Sequence, residues 1–244
     1  FNSQDVLSLA YSGTNIFAGT YYGVYLSSNS GTSWEEMNGG LTNLTVQALT
    51  SSGTNIFAGT LGGIFLTTNA GALWTAVNNG LTNLSVKAFA VSGTTIFAGT
   101  SGGVFMSINN GTSWTAVNSG LTNLSVMSLS VSGTSIFAGT WGGGVFKSTN
   151  NGTSWTAVNG GLTNTYIYSV CFSGTNIFAG TAVGGAFMST NSGANWINVG
   201  FANKEVRFIT SSGANIFAVV DAEGIYLTKN NGANWVLKNQ GFST

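Results

Sequence analysis

Six copies of one unit, each about 40 residues long and each with four short strand-like segments, predict an all-β fold. Units of this length and content are typical of propeller blades, so the predicted fold class is a six-bladed β-propeller with four antiparallel strands per blade. The string at 12–20 recurs at 52–60, 92–100, 132–140 and 173–181 with at most one change, and in degraded form at 212–220. A tryptophan closes each unit, at a spacing of 39 to 41 residues: Trp34, Trp74, Trp114, Trp155, Trp196 and Trp235.

The repeats account for essentially the whole chain, and no linker or change of composition suggests a second domain. We therefore expect a single domain, 1–244. Its blades are expected near 1–40, 41–80, 81–120, 121–161, 162–201 and 202–244. We also expect the last unit to pack on the first, which would close a monomeric ring.

Within a unit every segment has the character of a strand. In the second unit the segments 46–52, 55–60, 63–68 and 73–77 are rich in Val, Ile, Phe, Thr and Trp and are bounded by Gly, Asn or Ser. None of them has a sustained 3.6-residue apolar period, and the frequent glycines would destabilise a helix. A parallel β-helix would have a shorter repeat, and a leucine-rich solenoid would need its ladder of leucines and its asparagine turn.

A motif of the form [Ser/Thr]-x-Asn-x-Gly-x-x-Trp connects the third and fourth segments of each unit. The glycine is expected to adopt a positive φ, and the asparagine oxygen to accept backbone N–H groups inside the turn. The tryptophan is expected to pack between neighbouring sheets. The motif residues are Asn29, Gly31 and Trp34; Asn69, Gly71 and Trp74; Asn109, Gly111 and Trp114; Asn150, Gly152 and Trp155; Asn191, Gly193 and Trp196; and Asn230, Gly232 and Trp235.

This motif resembles the Asp-box (BNR) hairpin of sialidases, sortilin-type receptors, xyloglucan hydrolases and photosystem II assembly-factor propellers. The chain departs from that family at one position, because asparagine stands where the family has aspartate in all six copies. The turns are also faintly similar to calcium loops, but they lack the carboxylates and the acidic twelfth residue of such a site. We therefore expect a structural turn, and the sequence indicates neither a metal nor a cofactor.

The composition excludes several classes of function. Six Lys and Arg balance six Asp and Glu, so the net charge is zero and attraction to nucleic acid or to an anionic membrane is absent. The chain has no His and a single Cys, Cys171, which excludes Ser-His-Asp and Cys-His machinery and the usual zinc sites. No apolar run has the length of a membrane-spanning helix. The first residues show no signal peptide, although we expect an extracellular or cell-surface protein.

Positions that differ between the units are candidates for function. They are the residues between the second and third segments and the second residue of each first segment. The family resemblance implies that these positions share one face with the blade-linking loops. That face would carry an aromatic arc and a charged arc. The aromatic arc is Tyr21, Tyr22, Trp141, Tyr166 and Tyr168, and the charged arc is Lys204, Glu205, Arg207, Asp221 and Glu223.

The aromatic arc could stack on sugar rings or on the apolar surface of a partner. The alternative is that these side chains are ordinary exposed loop aromatics, and that the charged arc is a set of solvated ion pairs.

Catalysis has little support in the sequence. A sialidase site needs three arginines, and the chain has only Arg207. A glycosidase needs two carboxylates, and the whole supply is Asp5, Glu35, Glu36, Glu205, Asp221 and Glu223. Only Glu205 with Asp221 or Glu223 is expected on the candidate face.

The sequence therefore predicts a non-catalytic, structural or adhesive binding module, with self-assembly as a further expectation. A multivalent lectin-like propeller is the alternative, and a glycoside hydrolase is third. The expected partners are copies of the chain, a surface protein or a neutral glycan, with no nucleic acid and no insertion into a membrane.

Overall fold

The computed structural model describes residues 6–240, which form 24 strands in six four-stranded sheets. In each sheet the strands follow one another in chain order and antiparallel hairpins join them. This is the six-bladed β-propeller that the repeats predict, and no helix occurs within residues 6–240. The short strands and the glycine or asparagine turns between them explain the all-β fold, because the chain reverses direction every few residues.

The chain divides into two compact units of three sheets each: Phe1–Asn118 with Leu124–Val126, and Ser119–Asn123 with Met127–Thr244. The strands of the first unit are β1 Val6–Ser12, β2 Asn15–Thr20, β3 Gly23–Ser27, β4 Glu35–Glu36, β5 Val46–Ser52, β6 Asn55–Thr60, β7 Gly63–Thr67, β8 Thr75–Ala76, β9 Val86–Ser92, β10 Thr95–Thr100, β11 Gly103–Ser107 and β12 Thr115–Ala116. Those of the second unit are β13 Val126–Ser132 (whose first residue is counted in the first unit), β14 Ser135–Thr140, β15 Gly144–Ser148, β16 Thr156–Ala157, β17 Ile167–Ser173, β18 Asn176–Thr181, β19 Ala186–Ser189, β20 Ile197–Gly200, β21 Val206–Ser212, β22 Asn215–Val220, β23 Gly224–Thr228 and β24 Val236–Leu237.

The hydrophobic core lies between neighbouring sheets of each unit. Phe17 of β2 is fully buried with Trp74 from the sheet that follows, and Phe57 is buried with Trp114 in the same way. In the second unit Phe137 is buried with Trp196. Each sheet is therefore stabilised by the next one, because a single four-stranded sheet cannot bury its apolar side chains by itself.

The indole of each of these tryptophans also bonds to the preceding sheet. Trp74 Nε1 donates to the Met37 carbonyl at 2.8 Å, and Trp114 Nε1 donates to the Val77 carbonyl at 2.8 Å. Trp196 and Trp235 make the same bond at 2.8 and 2.7 Å. For these units the expectation that the tryptophan packs between sheets is confirmed.

The fourth strand is shorter than the sequence suggests. For the second repeat the sequence predicts strands at 63–68 and 73–77, but β7 ends at Thr67 and β8 contains only Thr75 and Ala76. The backbone N–H of Trp74 donates instead to the Gly39 carbonyl of the preceding sheet, at 2.8 Å. Trp74 therefore lies outside its own sheet ladder.

The asparagine turns have the geometry expected of them. Gly111 has a φ of 80°, and Asn110 before it has a φ of 54°. Asn109 Oδ1 accepts the Ser113 N–H at 3.0 Å and the Ser107 hydroxyl at 2.9 Å. The equivalent oxygen accepts the same two bonds in the other five turns. The asparagine thus acts as an uncharged organiser of the turn.

A second asparagine, which the sequence analysis did not identify, holds the turn between the second and third strands. Asn118 Oδ1 accepts the N–H of Val104 at 2.7 Å. A Cβ on Gly103 would lie 2.4 Å from that oxygen, so glycine is required there. The same bond occurs at Asn38, Asn78, Asn159 and Asn239. A constant spacing of four residues after the turn tryptophan could have revealed this second set.

Candidate functional site

The variable second residue of the first strand lies in a β-bulge. In β17 the pairing with β18 shifts between Ile167 and Ser169, which leaves Tyr168 as the extra residue. In β21 it shifts between Val206 and Phe208, which leaves Arg207. A bulge takes a residue out of the regular alternation and redirects its side chain. The local backbone therefore presents Tyr168 and Arg207 at matching positions of neighbouring sheets.

Residues next to the strand ends complete the site. Trp141 directly follows β14, Tyr166 directly precedes β17, and the two form an isolated antiparallel bridge. Glu205 precedes β21 and Asp221 follows β22, and the Asp221 N–H donates to the Glu205 carbonyl at 3.0 Å. The site is thus built from one end of three consecutive sheets of the second unit.

The aromatic part consists of three rings in contact. The Trp141 ring centroid lies 5.1 Å from that of Tyr166, edge to face, and 5.0 Å from that of Tyr168. Trp141 is 38% exposed and Tyr166 is 44% exposed. The rings hold each other in place while part of the apolar surface remains open to a ligand.

The ionic part is centred on Arg207. Its Nε donates to Asp221 Oδ1 at 3.0 Å and lies 3.0 Å from Glu205 Oε1. Burial lowers the pKa of Arg207, but the charges of Glu205 and Asp221 outweigh this effect and the pKa is raised. The guanidinium is therefore neutralised by two carboxylates, and its partner groups remain partly exposed.

Tyr168 joins the two parts. Its pKa lies above the ordinary value because of burial, and also because the Glu205 carboxylate lies close to the phenol. The sequence suggests separate aromatic and charged arcs, whereas in the structure they form one continuous group. We call it the aromatic–ionic cluster: Trp141, Tyr166, Tyr168, Glu205, Arg207 and Asp221.

A second ion pair lies on the same sheet as Arg207. Lys204 Nζ is 2.6 Å from Glu223 Oε1, and the Tyr226 hydroxyl donates to Glu223 Oε2 at 2.9 Å. These bonds, first from Lys204 and then from Tyr226, lower the pKa of Glu223. A general acid requires the opposite shift, so the environment of Glu223 favours a structural ion pair.

The remaining candidates lie elsewhere. Tyr21 and Tyr22 form the β2–β3 turn of the first unit, where they are 49% and 60% exposed. Glu35 and Glu36 form β4 of the same unit, as the sequence predicts. Asp5 lies outside the described residues.

No group of three or more Cys, Asp or Glu side chains suited to a metal occurs within residues 6–240. The same residues include no helix long and apolar enough to cross a membrane.

Comparison with solved structures shows the same fold in several proteins. The chain resembles the extracellular domain of BT4673 from B. thetaiotaomicron, with 17% identity and a TM-score of 0.78 over 96% of this chain. It resembles YCF48 from Cyanidioschyzon merolae, with 16% identity and a TM-score of 0.73, over 96% of this chain and 84% of that one. An ancestral GH74 enzyme matches over 95% of this chain and 37% of its own, with 22% identity and a TM-score of 0.74.

These likenesses show that the chain shares the β-propeller fold of these proteins, and they show the fold alone. The chain spans about a third of the length of the BT4673 chain. No protein-family model and no curated protein matches the sequence.

Proposed function

We propose that the chain is a non-catalytic binding module and that the aromatic–ionic cluster is its contact surface. The observation that carries the proposal is the position of Trp141, which is exposed yet held by Tyr166 and Tyr168. Tyr168 in turn lies close to the ion pairs of Arg207. Aromatic and arginine side chains held in place by their neighbours are typical of binding hot spots, because little conformational entropy is lost when a partner binds.

The charge of the cluster argues for a neutral partner. Arg207 is opposed by Glu205 and Asp221, so the six side chains carry a small net charge and produce little field to select an ion. The same balance disfavours nucleic acid and anionic membranes. A surface protein, a neutral glycan or another copy of the chain remains as the partner. The protein is proposed to act outside the cell, in an adhesive or structural role that includes self-association.

Two comparisons support a binding role outside the cell. One solved structure shows YCF48 bound to a D1 peptide; it matches 96% of this chain with 12% identity and a TM-score of 0.74. The matching BT4673 structure is that of an extracellular domain, which supports a role outside the cell. The turn with asparagine in place of aspartate is proposed to be a neutral form of the Asp-box, because its oxygen makes the bonds of a turn organiser.

A lectin-like function is the second candidate. The exposed face of Trp141 suits stacking on a sugar ring, and the carboxylates and the guanidinium beside it offer acceptors and donors for hydroxyl groups. A glycoside hydrolase is the third candidate, and it depends on Glu205 and Asp221. Both carboxylates are held by Arg207, which makes either a poor general acid.

The test is a screen of the chain against an array of neutral oligosaccharides and, in parallel, against a displayed peptide library. Trp141→Ala should weaken each true hit by about tenfold or more, which corresponds to the loss of one aromatic hot spot. Tyr11→Ala is the matched control, because Tyr11 is a 74% exposed aromatic in the first unit. Binding should change little with salt concentration.

The absence of hits, or hits that Trp141→Ala leaves unchanged, would contradict the proposal. Hydrolysis of an array glycan that disappears in Glu205→Gln would favour the enzyme instead.

A further inference from the structure

A pair of small residues recurs on one face of the sheets. The third residue of the first strand lies directly opposite a glycine of the second strand. These pairs are Ser8 with Gly19, Ala48 with Gly59, Ala88 with Gly99, and Ser169 with Gly180. Ala48, Ala88 and Ser169 are only 4–9% exposed.

Close packing of the next sheet explains the small residues. A Cβ added to Gly19 would lie 2.7 Å from Val46 Cγ1, and one on Gly59 would lie 2.6 Å from Val86 Cγ1. In the second unit a Cβ on Gly180 would lie 2.6 Å from the Val206 carbonyl oxygen. An added Cβ at these distances would overlap with the neighbouring atoms. The second strand therefore needs a glycine where the first strand of the following sheet packs on it.

The sixth sheet lacks this pair. Its two positions hold Phe208 and Val219, which lie opposite each other in the β21–β22 ladder. Phe208 is 53% exposed. The other face of the sheet is regular, because Ile209 is 1% exposed and exchanges hydrogen bonds with Ser169 Oγ. Ser211 Oγ also donates to the Phe172 carbonyl. The change is therefore confined to the face that a following sheet would use.

The first sheet keeps a large apolar residue at the fourth position of its first strand, which is Leu9. Leu49, Val170 and Ile209 occupy this position in other sheets and pack against the preceding sheet. Those three side chains are 1–8% exposed, whereas Leu9 is 62% exposed. A first strand of this kind can pack on any sheet that offers a small residue opposite a glycine.

We infer that Phe208 and Val219 prevent the first strand of a second copy of this chain from packing on the sixth sheet. The first strand of another copy finds no glycine beneath it there, so copies cannot add end to end by the packing that joins the internal sheets. The inference rests on the self-association included in the proposed function and narrows it, because contacts between copies must use other surfaces. The closed ring stays a prediction.

The test restores the regular face with the double substitution Phe208→Ala and Val219→Gly. The wild-type chain should stay free of end-to-end association in light scattering over a wide concentration range. In the double variant the face around position 9 of one copy should become buried against the sixth sheet of another copy. A Leu9→Cys reporter detects this, and its labelling by a maleimide should slow by at least about tenfold in the double-variant background. Cys171 adds little signal, because burial raises the pKa of its thiol to about 12.

Two comparisons make the result decisive. The control Tyr22→Ala with Val236→Gly removes an exposed aromatic and an exposed valine elsewhere and should leave the labelling rate unchanged. Adding Leu9→Asp to the double variant without the reporter should reverse any increase in mass. A folded double variant whose mass does not increase would overturn the inference, whether or not its labelling slows. So would wild-type association that Leu9→Asp abolishes. Ligand binding that depends on Trp141 is measured separately, so failure of one idea does not affect the other.

Discussion

Tyr168 lies close to Glu205: burial and then the Glu205 carboxylate raise the pKa of the phenol, and this proximity links an aromatic group from one sheet to an ionic group on the next. Tyr168 reaches Glu205 because it is the extra residue of a bulge in β17. Glu205 is also held by Arg207, the extra residue of the equivalent bulge in β21. The two bulges therefore organise the candidate contact surface.

Replacing Glu205 should change the titration of Tyr168. Burial and the nearby carboxylate of Glu205 raise the pKa of Tyr168 above its ordinary value of 10.0. Glu205→Gln should lower this pKa while burial keeps it above 10.0. An ultraviolet difference titration of each protein against its Tyr168→Phe partner measures the change. An unchanged pKa in Glu205→Gln would show that the two groups do not interact in solution.

The same shift predicts the direction of a pH effect on stability. Because the folded pKa of Tyr168 is raised, its contribution to stability is fully present below pH 10 and is lost as the pH rises through the folded value. Urea unfolding in buffers that extend above pH 10 should therefore show a steeper loss of stability for the wild type than for Tyr168→Phe. Equal slopes for the two proteins would contradict this assignment.

The turn asparagines should contribute through their oxygen. Asn109→Ala leaves the Ser113 N–H and the Ser107 hydroxyl without an acceptor and should cost about 1–2 kcal/mol. Asn109→Asp keeps the oxygen and should change stability by no more than about 0.5 kcal/mol. Ser113→Ala is the control for the bond from Asn109 Nδ2, which measures 2.9 Å. Thermal unfolding would disprove the idea if the aspartate variant were as unstable as the alanine variant.

The bond from each turn tryptophan to the preceding sheet should be measurable by itself. Trp114→Phe keeps an aromatic ring but leaves the Val77 carbonyl without its donor, and should cost about 1–3 kcal/mol. Trp114→Ala should cost about 3–5 kcal/mol, because it also opens a cavity. Trp141→Phe, at an exposed tryptophan, should cost less than about 1 kcal/mol. Similar losses at positions 114 and 141 in denaturant unfolding would contradict the structural role.

The glycine beneath each following sheet should be the least replaceable residue of its strand. A Cβ on Gly59 would lie 2.6 Å from Val86 and 2.9 Å from Phe89, so Gly59→Ala should destabilise the chain by about 1–3 kcal/mol or more. Gly53→Ala is the control, because Gly53 has a φ of 61° and nothing within 4 Å of an added Cβ. It should show only the smaller cost of backbone strain, of order 1 kcal/mol. Equal melting temperatures for the two variants would disprove the packing argument.

Features that lie within a single repeat were predictable from the sequence. The strands, the turn asparagines and their glycines follow from local patterns, and residues such as Gly111 and Asn109 have the expected conformations. Features that depend on contacts with a neighbouring repeat were not predictable in the same way. The N–H of Trp74 bonds to Gly39 of another sheet, and no local periodicity indicates that β8 will therefore be short.

The candidate site shows the same limit. The variability of Tyr168 and Arg207 between units was visible in the sequence, but the bulges that redirect them were not. The proximity of Tyr168 to Glu205 depends on how two neighbouring sheets pack, which is a tertiary property. The change to Phe208 and Val219 was also visible, but its meaning required the distances around Gly59 and Gly180.

The short fourth strands have a consequence for solubility. Five of the six within residues 6–240 contain two residues, and β20 contains four. Many proteins protect an exposed sheet edge with lysine, but this chain has only six Lys and Arg in total. An edge of two residues offers too few free backbone groups to template a strand from another molecule. Brevity of the edge therefore replaces charge as the protection against β-aggregation, and a nearly uncharged chain can stay in solution.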